Sequence, residues 1–189
     1  MKSPYCFIVK PQGGQRYDNL SKHGDGKLIT SASQEDHTTT NRFAIVEEIP
    51  IMWAFNKNIK KGDTVIVHHN VFRKYYDIKG AEKSGPCHFK DDLYIVDIDQ
   101  VYLHKSKDKW MSVGDYCFIK PIEIEKDVIL SVDRNKQLVG KVKYSNKELK
   151  SLDIFNGDEV CFLPESEYEF KIEGETLYRM KTIDICVLI

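Results

Sequence analysis

His68-His69 and Cys87-His88 carry the residue types best suited to holding a metal, since imidazole and thiolate are the usual zinc donors. Their spacing argues against it. Neighbours along a strand point to opposite faces, so His68 and His69 are not expected to share an ion, and no C-x-x-C pair completes a zinc knuckle. Gly13-Gly14 and Gly24-Asp25-Gly26 have the glycine content of a phosphate-cradling loop. No helix pattern follows either one to supply the N-terminal amides that grip a phosphate. Phe72-Arg73-Lys74-Tyr75-Tyr76 interleaves aromatic and basic residues as single-strand-binding grooves do. Asp77 follows at once and the surrounding charge is near balance, so a structural cluster or a protein interface is the expected role. No spacing suggests a Ser-His-Asp, Cys-His or paired-carboxylate arrangement. Neither an enzyme activity nor a metal or cofactor is expected.

Charge excludes further classes. Lys and Arg number 28 against 29 for Asp and Glu in 189 residues, a net of −1. Stretch 1–104 carries 14 basic and 13 acidic side chains, and stretch 105–189 carries 14 and 16. Neither has the positive excess that neutralising nucleic-acid phosphates favours, so no nucleic-acid partner is expected. Apolar runs are short, as at Ile185-Cys186-Val187-Leu188-Ile189, whereas a membrane span needs roughly 20 residues. Met1-Lys2-Ser3-Pro4-Tyr5 shows no signal-peptide pattern, so a cytoplasmic location without membrane association is expected. Cys6, Cys117, Cys161 and Cys186 sit in apolar runs and read as small buried hydrophobes, not as a disulfide framework.

The elements that must position any site are mostly strands. Tyr5 to Val9, Phe43 to Val46, Thr64 to Val67, Leu93 to Ile98, Tyr116 to Ile119 and Glu159 to Phe162 are rich in Val, Ile, Phe and Tyr. Gly, Asp, Asn and Pro punctuate them. From Glu167 to Glu173 charged and apolar residues alternate, which places Tyr168, Phe170 and Ile172 on one buried face. The best helix signal is Ser145-Asn146 capping Lys147-Glu148-Leu149-Lys150. The fold class is all-β.

An internal repeat sets the organisation. Tyr5-Cys6-Phe7-Ile8-Val9-Lys10-Pro11 recurs as Tyr116-Cys117-Phe118-Ile119-Lys120-Pro121, and Lys61-Gly62-Asp63-Thr64-Val65-Ile66-Val67 as Asn156-Gly157-Asp158-Glu159-Val160-Cys161-Phe162. Leu93-Tyr94, which opens an acidic-aliphatic stretch running to Leu103, recurs as Leu177-Tyr178 running to Val187. The order is kept while the spacing tightens, as expected of one β unit repeated with shorter loops. Two domains follow, at 1–104 and 110–189, with the polar stretch 105–109 as linker.

Each copy resembles a GroES-type co-chaperonin domain. The resemblance rests on Phe7-Ile8-Val9-Lys10-Pro11, on the turn Lys60-Lys61-Gly62-Asp63 running into Thr64-Val65-Ile66-Val67, and on the closing stretch Asp92 to Leu103. It implies two tandem small β-barrels. It also implies that a mobile loop docks an aliphatic tripeptide on a chaperonin ring: Gly24, Gly26, Lys27, Leu28, Ile29 and Thr30 occupy that place here, Lys27 where an aliphatic residue is usual. Val128, Ile129 and Leu130 are the aliphatic triplet of the second copy.

The function so implied is that of a lid for a chaperonin ring in ATP-dependent folding, acting in a bacterial host's cytoplasm if the protein is phage-encoded. The alternative is a structural or assembly component, such as part of a phage virion, built on the same domains. In the family the first strand of one subunit pairs with the last strand of its neighbour. That implies Val101-Tyr102-Leu103 beside Tyr116 to Ile119 within the chain. Between chains it implies Ile185, Val187, Leu188 and Ile189 beside Phe7, Ile8 and Val9 of the next copy, closing a ring-shaped homo-oligomer.

Overall fold

A computed structural model describes residues 2–17, 20–23, 26–29, 40–52, 58–122 and 138–189. Its strands begin with β1 (Phe7–Pro11), β2 (Leu20–His23), β3 (Gly26–Ile29), β4 (Phe43–Glu48), β5 (Thr64–Val67) and β6 (Lys74–Tyr76). They continue with β7 (Glu82–Ser84), β8 (His88–Lys90), β9 (Leu93–Val96), β10 (Val101–Ser106), β11 (Lys109–Ser112) and β12 (Tyr116–Pro121). After β13 (Val139–Tyr144) comes the short helix α1 (Lys147–Ser151), then β14 (Glu159–Phe162), β15 (Tyr168–Ile172), β16 (Glu175–Lys181) and β17 (Ile185–Leu188). The all-β class expected from the sequence is what forms.

The chain divides into Met1–Trp110 and Met111–Ile189. In the first unit the main sheet runs β11-β10-β5-β4-β1-β9-β8, and β2-β3 and β6-β7 are separate two-stranded hairpins. In the second the sheet runs β15-β16-β12-β13-β14-β17. Read from the other end, that order repeats β10-β5-β4-β1-β9-β8 strand for strand.

The repetition extends to register. Val9, Lys10 and Pro11 lie opposite Val46, Ile45 and Ala44, as Ile119, Lys120 and Pro121 lie opposite Val142, Lys141 and Gly140. Both pairs carry an irregularity at the same step, between Ile8 and Val9 and between Phe118 and Ile119. The two Gly-Asp turns make the same bonds. The amide of Gly62 donates to Val46 O at 2.8 Å and that of Gly157 to Val142 O at 2.7 Å. Asp63 Oδ2 accepts from Lys60 N at 2.9 Å, and Asp158 Oδ2 from Phe155 N at 2.7 Å. Gly62 and Gly157 have φ of 90° and 102°, where a side chain is strained, which is why the sequence returns to glycine. The letter match of Tyr5 with Tyr116 is displaced by one residue: counted from the Lys-Pro end, Tyr116 stands where Cys6 stands.

Burial follows the strand pattern. Phe7, Val9, Val46, Ile66, Phe72 and Tyr94 fill the first core, with the Phe72 and Tyr94 rings edge to face at 4.7 Å. Ile119, Val142, Leu149, Val160, Phe162 and Met180 belong to the second. In β15 Phe170 and Ile172 are buried while Glu169 and Lys171 are exposed, the expected alternation. Asn146 is the N-cap of α1, its Oδ1 accepting from Leu149 N at 2.8 Å. Its Nδ2 donates to Asp115 O at 2.8 Å and to Thr182 Oγ1 at 2.7 Å, tying α1 to the ends of β12 and β16.

Several expectations are corrected. Among the described residues neither sheet closes into a barrel, because β8 and β11, and β15 and β17, end their sheets without pairing to each other. Residues 105–109 are not a linker but the hairpin of β10 and β11, whose central residues Lys107 and Asp108 take the positive φ of a tight type I′ turn, 50° and 63°. Strand β10 lies between β5 and β11, not beside β12, which pairs with β13 and β16. Phe7, Ile8 and Val9 are buried in a strand paired on both sides, by β4 and β9, so they offer no free edge to another copy. Of the four cysteines read as buried, Cys117 is; Cys6 and Cys161 are half-buried and Cys186 is exposed.

Gly140 marks a difference between the units. Ala44 stands at this position in the first, but a Cβ on Gly140 would lie 2.4 Å from Ile119 Cγ2 and 2.7 Å from Lys120 O. The second contact is with backbone, which cannot swing aside. Gly140→Ala is expected to destabilise the second unit by about 1–3 kcal/mol in urea unfolding, the usual cost of overpacking. Ala44→Gly should cost about 1 kcal/mol or less. Equal effects at the two sites would show that the close approach is not maintained in solution.

Candidate functional site

The segment expected to dock a partner begins as the hairpin of β2 and β3. Leu20, Ser21, Lys22 and His23 pair with Ile29, Leu28, Lys27 and Gly26. The backbone of Gly26–Ile29 therefore has hydrogen-bonded neighbours. Gly24 and Thr30 lie outside the described residues, as do Val128, Ile129 and Leu130. The root of this excursion from the main sheet is closed by an antiparallel bridge between Tyr17 and Thr40 and by Asn41 N donating to Arg16 O at 3.0 Å. Asn41 reinforces it through Nδ2, which reaches Gln15 O at 2.7 Å and Gln12 O at 3.0 Å.

The second expected interface residues lie on β17. Paired with β14 alone, this strand ends its sheet. Its counterpart β10 has the same register, with Leu103 opposite Ile66 as Val187 is opposite Cys161. Their surroundings differ sharply. Leu103 and His104 are 0 % and 1 % exposed, whereas Val187 and Leu188, their equivalents, are 55 % and 47 % exposed, and Ile189 66 %. The outer edge of β10 is covered by β11; among the described residues no strand covers β17. Long apolar edges left bare invite pairing with another chain.

The residues considered for metal binding do not converge. His68 follows the last residue of β5 and caps a short 3₁₀ turn, its Nδ1 accepting from Asn70 N at 3.1 Å. Its ring centre lies 4.1 Å from that of His69, the two planes tilted by 31°, so the pair is in contact and not split across a strand as expected. His88 instead places Nε2 2.9 Å from Asp91 O. Among the described residues no group of three His, Cys, Asp or Glu is arranged to hold a metal, and no helix is long and apolar enough to cross a membrane. In the aromatic-basic cluster Phe72 is core, while Tyr75 and Tyr76 are exposed on β6.

Two thiols are held away from nucleophilic chemistry. Cys6 Sγ donates to Asp97 Oδ1 at 2.8 Å, and this bond, with burial and the carboxylate's charge, pushes its pKa up to about 11. Burial pushes Cys117 up to about 12. Charge is also arranged differently on equivalent strands. Lys10 pairs with Glu47 in the first unit. In the second Lys120 and Lys143 share Glu175, at 2.8 and 2.6 Å, which brings that carboxyl down to about 2.

No protein-family model matches the chain, and no curated protein matches it.

Proposed function

We propose that the protein is a tandem co-chaperonin of the GroES type: a lid of two like units that caps a chaperonin ring and assists ATP-dependent folding. The observation that carries this reading is the repetition of one strand order and register in both units around a Gly-Asp turn, which in the first unit is the K-x-G-D turn on which the resemblance rests. In it Gly26–Ile29 is the docking strand, Leu28 and Ile29 supplying aliphatic side chains worth about 1.5–3 kcal/mol each before the cost of ordering. Assembly into a ring uses the bare edge of β17, taken up by a strand of another copy as β11 takes up β10. The donor strand is not β1, which is paired on both edges.

The second reading is a structural component of a phage virion, favoured by the paired backbone of Gly26–Ile29, since an assembly scaffold uses ordered loops. Refolding of a chaperonin-dependent client with ATP, the protein replacing the ring's own lid, separates the two. A lid restores the yield, and Leu28→Asp abolishes both yield and ring binding without changing the far-ultraviolet circular dichroism. Absence of both rescue and ring binding for the unaltered chain would overturn the co-chaperonin reading in favour of the structural one.

A further inference from the structure

The dipeptide Arg16-Tyr17 closes two excursions of the first unit at once. Its backbone shuts the root of the segment that holds β2 and β3, through the Tyr17–Thr40 bridge and the bond from Asn41 N to Arg16 O. Its side chains shut the mouth of the β6–β7 hairpin. Arg16 Nε donates to Phe72 O at 2.9 Å, Nη1 to Ser84 Oγ at 2.9 Å and Nη2 to Arg73 O at 3.2 Å, so one guanidinium spans both stems of that hairpin. Tyr17 Oη accepts from Lys74 N at 2.7 Å. The guanidinium carbon lies 5.4 Å from the centre of the buried Tyr94 ring, which anchors the group to the sheet.

Neither hairpin shares a sheet with the body of the unit. We propose that Arg16 is a mechanical clip that makes the root of the excursion closed by Tyr17 and Thr40 and the root of the β6–β7 hairpin open and close together, so that a partner engaging one is felt at the other. The chemistry suits the task. A planar guanidinium with three nitrogens on three acceptors has one productive orientation, and that orientation depends on where the Arg16 backbone is held. The backbone is in turn held by Asn41. A lysine has the charge but not the fork. The tip that would report the coupling is well formed: Asp77 Oδ1 accepts from both Lys79 N and Ala81 N at 2.9 Å and leaves Ile78 fully exposed.

The inference concerns the free protein and stands whether or not a chaperonin is the partner. Residue-resolved amide hydrogen exchange on the isolated full chain tests it, with the β5 amides of Val65 and Ile66 as the reference for intact folding. Arg16→Lys should speed exchange at Lys74 and Gly85, in the hairpin, and at Asn41, in the other root, by on the order of tenfold. The decisive variant is Asn41→Ala: among the described residues Asn41 makes no bond to the β6–β7 hairpin. The substitution removes its side-chain bonds to Gln12 O, Gln15 O and Phe43 N, which brace the Arg16 root, while keeping the backbone bond to Arg16 O. It should still speed exchange at Lys74 and Gly85, and adding it to Arg16→Lys should produce no further change there. If Asn41→Ala leaves Lys74 and Gly85 at the wild-type rate while Asn41's own root opens, the two hairpins are independent and the clip does not exist. Should Arg16→Lys disturb the β5 amides, Tyr17→Phe, which removes only the acceptor for Lys74 N, supplies the same comparison.

Discussion

Replacing Asn146 by alanine will lower the stability of the second unit by roughly 2–4 kcal/mol, enough to shift its melting by on the order of 10–20 °C. The size of the effect follows from the number of elements that one buried side chain joins. The loss of its carbonyl as the cap of α1 costs about 1–2 kcal/mol. The loss of its amide, which donates to Asp115 O and Thr182 Oγ1, removes a link between three parts of the chain in a site only 3 % exposed, at a similar cost. Asn146→Asp distinguishes the two contributions. It keeps an acceptor for Leu149 N but sets a carboxylate against the Asp115 carbonyl, so it should be no more stable than the alanine variant at neutral pH. A fully stable aspartate variant would mean that capping alone matters. Calorimetry of the whole chain gives the melting temperature, and exchange at the β12 and β16 amides assigns it to this unit.

The second large effect concerns the bare edge of β17. Ile189 N donates to Glu159 O at 2.9 Å, inward to β14. Successive amides of a strand point in opposite directions, so Leu188 N–H faces outward, where a pairing strand would lie. Leu188→Pro removes that outward donor and keeps the inward ladder. The unaltered protein should form an oligomer at micromolar concentration, and Leu188→Pro should reduce it to the 22.0 kDa chain by light scattering. Val187→Lys should act in the same direction by charging the edge. A wild-type monomer, or an oligomer indifferent to both changes, would refute pairing at β17.

What the sequence made legible was local chemistry. Thr64-Val65-Ile66-Val67 and Glu159-Val160-Cys161-Phe162 are strands at the bounds read from their residues, because a Gly-Asp turn fixes where each begins. The alternation of β15 and the cap at Asn146 were visible for the same reason. Neighbourhood was not legible. Phe7-Ile8-Val9 and Ile185-Cys186-Val187 are equally apolar, yet one lies mid-sheet and the other at its edge, a difference set by strands far away in sequence. The charged run at Lys105 to Lys109 looks like a linker because its turn uses Lys107 and Asp108 at positive φ without a glycine to announce it. Of the candidate site, the backbone at Gly26–Ile29 is placed in a hairpin. The clip at Arg16 carried no motif, since its acceptors are two carbonyls and a hydroxyl at distant positions.

The unequal loops of the two units also say something about engineering. Between β5 and β8 the first unit inserts the whole Lys74–Ser84 hairpin, whereas between β14 and β15 the second runs from Phe162 to Tyr168 with no strand, and the same sheet order results. The chain thus contains its own deletion variant, which marks this crossover as a site where length is free to change. Lengthening a surface loop costs little entropy once its ends are fixed, and here the ends are fixed by the sheet on one side and by Arg16 on the other. A foreign peptide or a fluorophore spliced at Ile78-Lys79 would ride on a hairpin outside the main sheet, offering a graft point for display or for distance measurements.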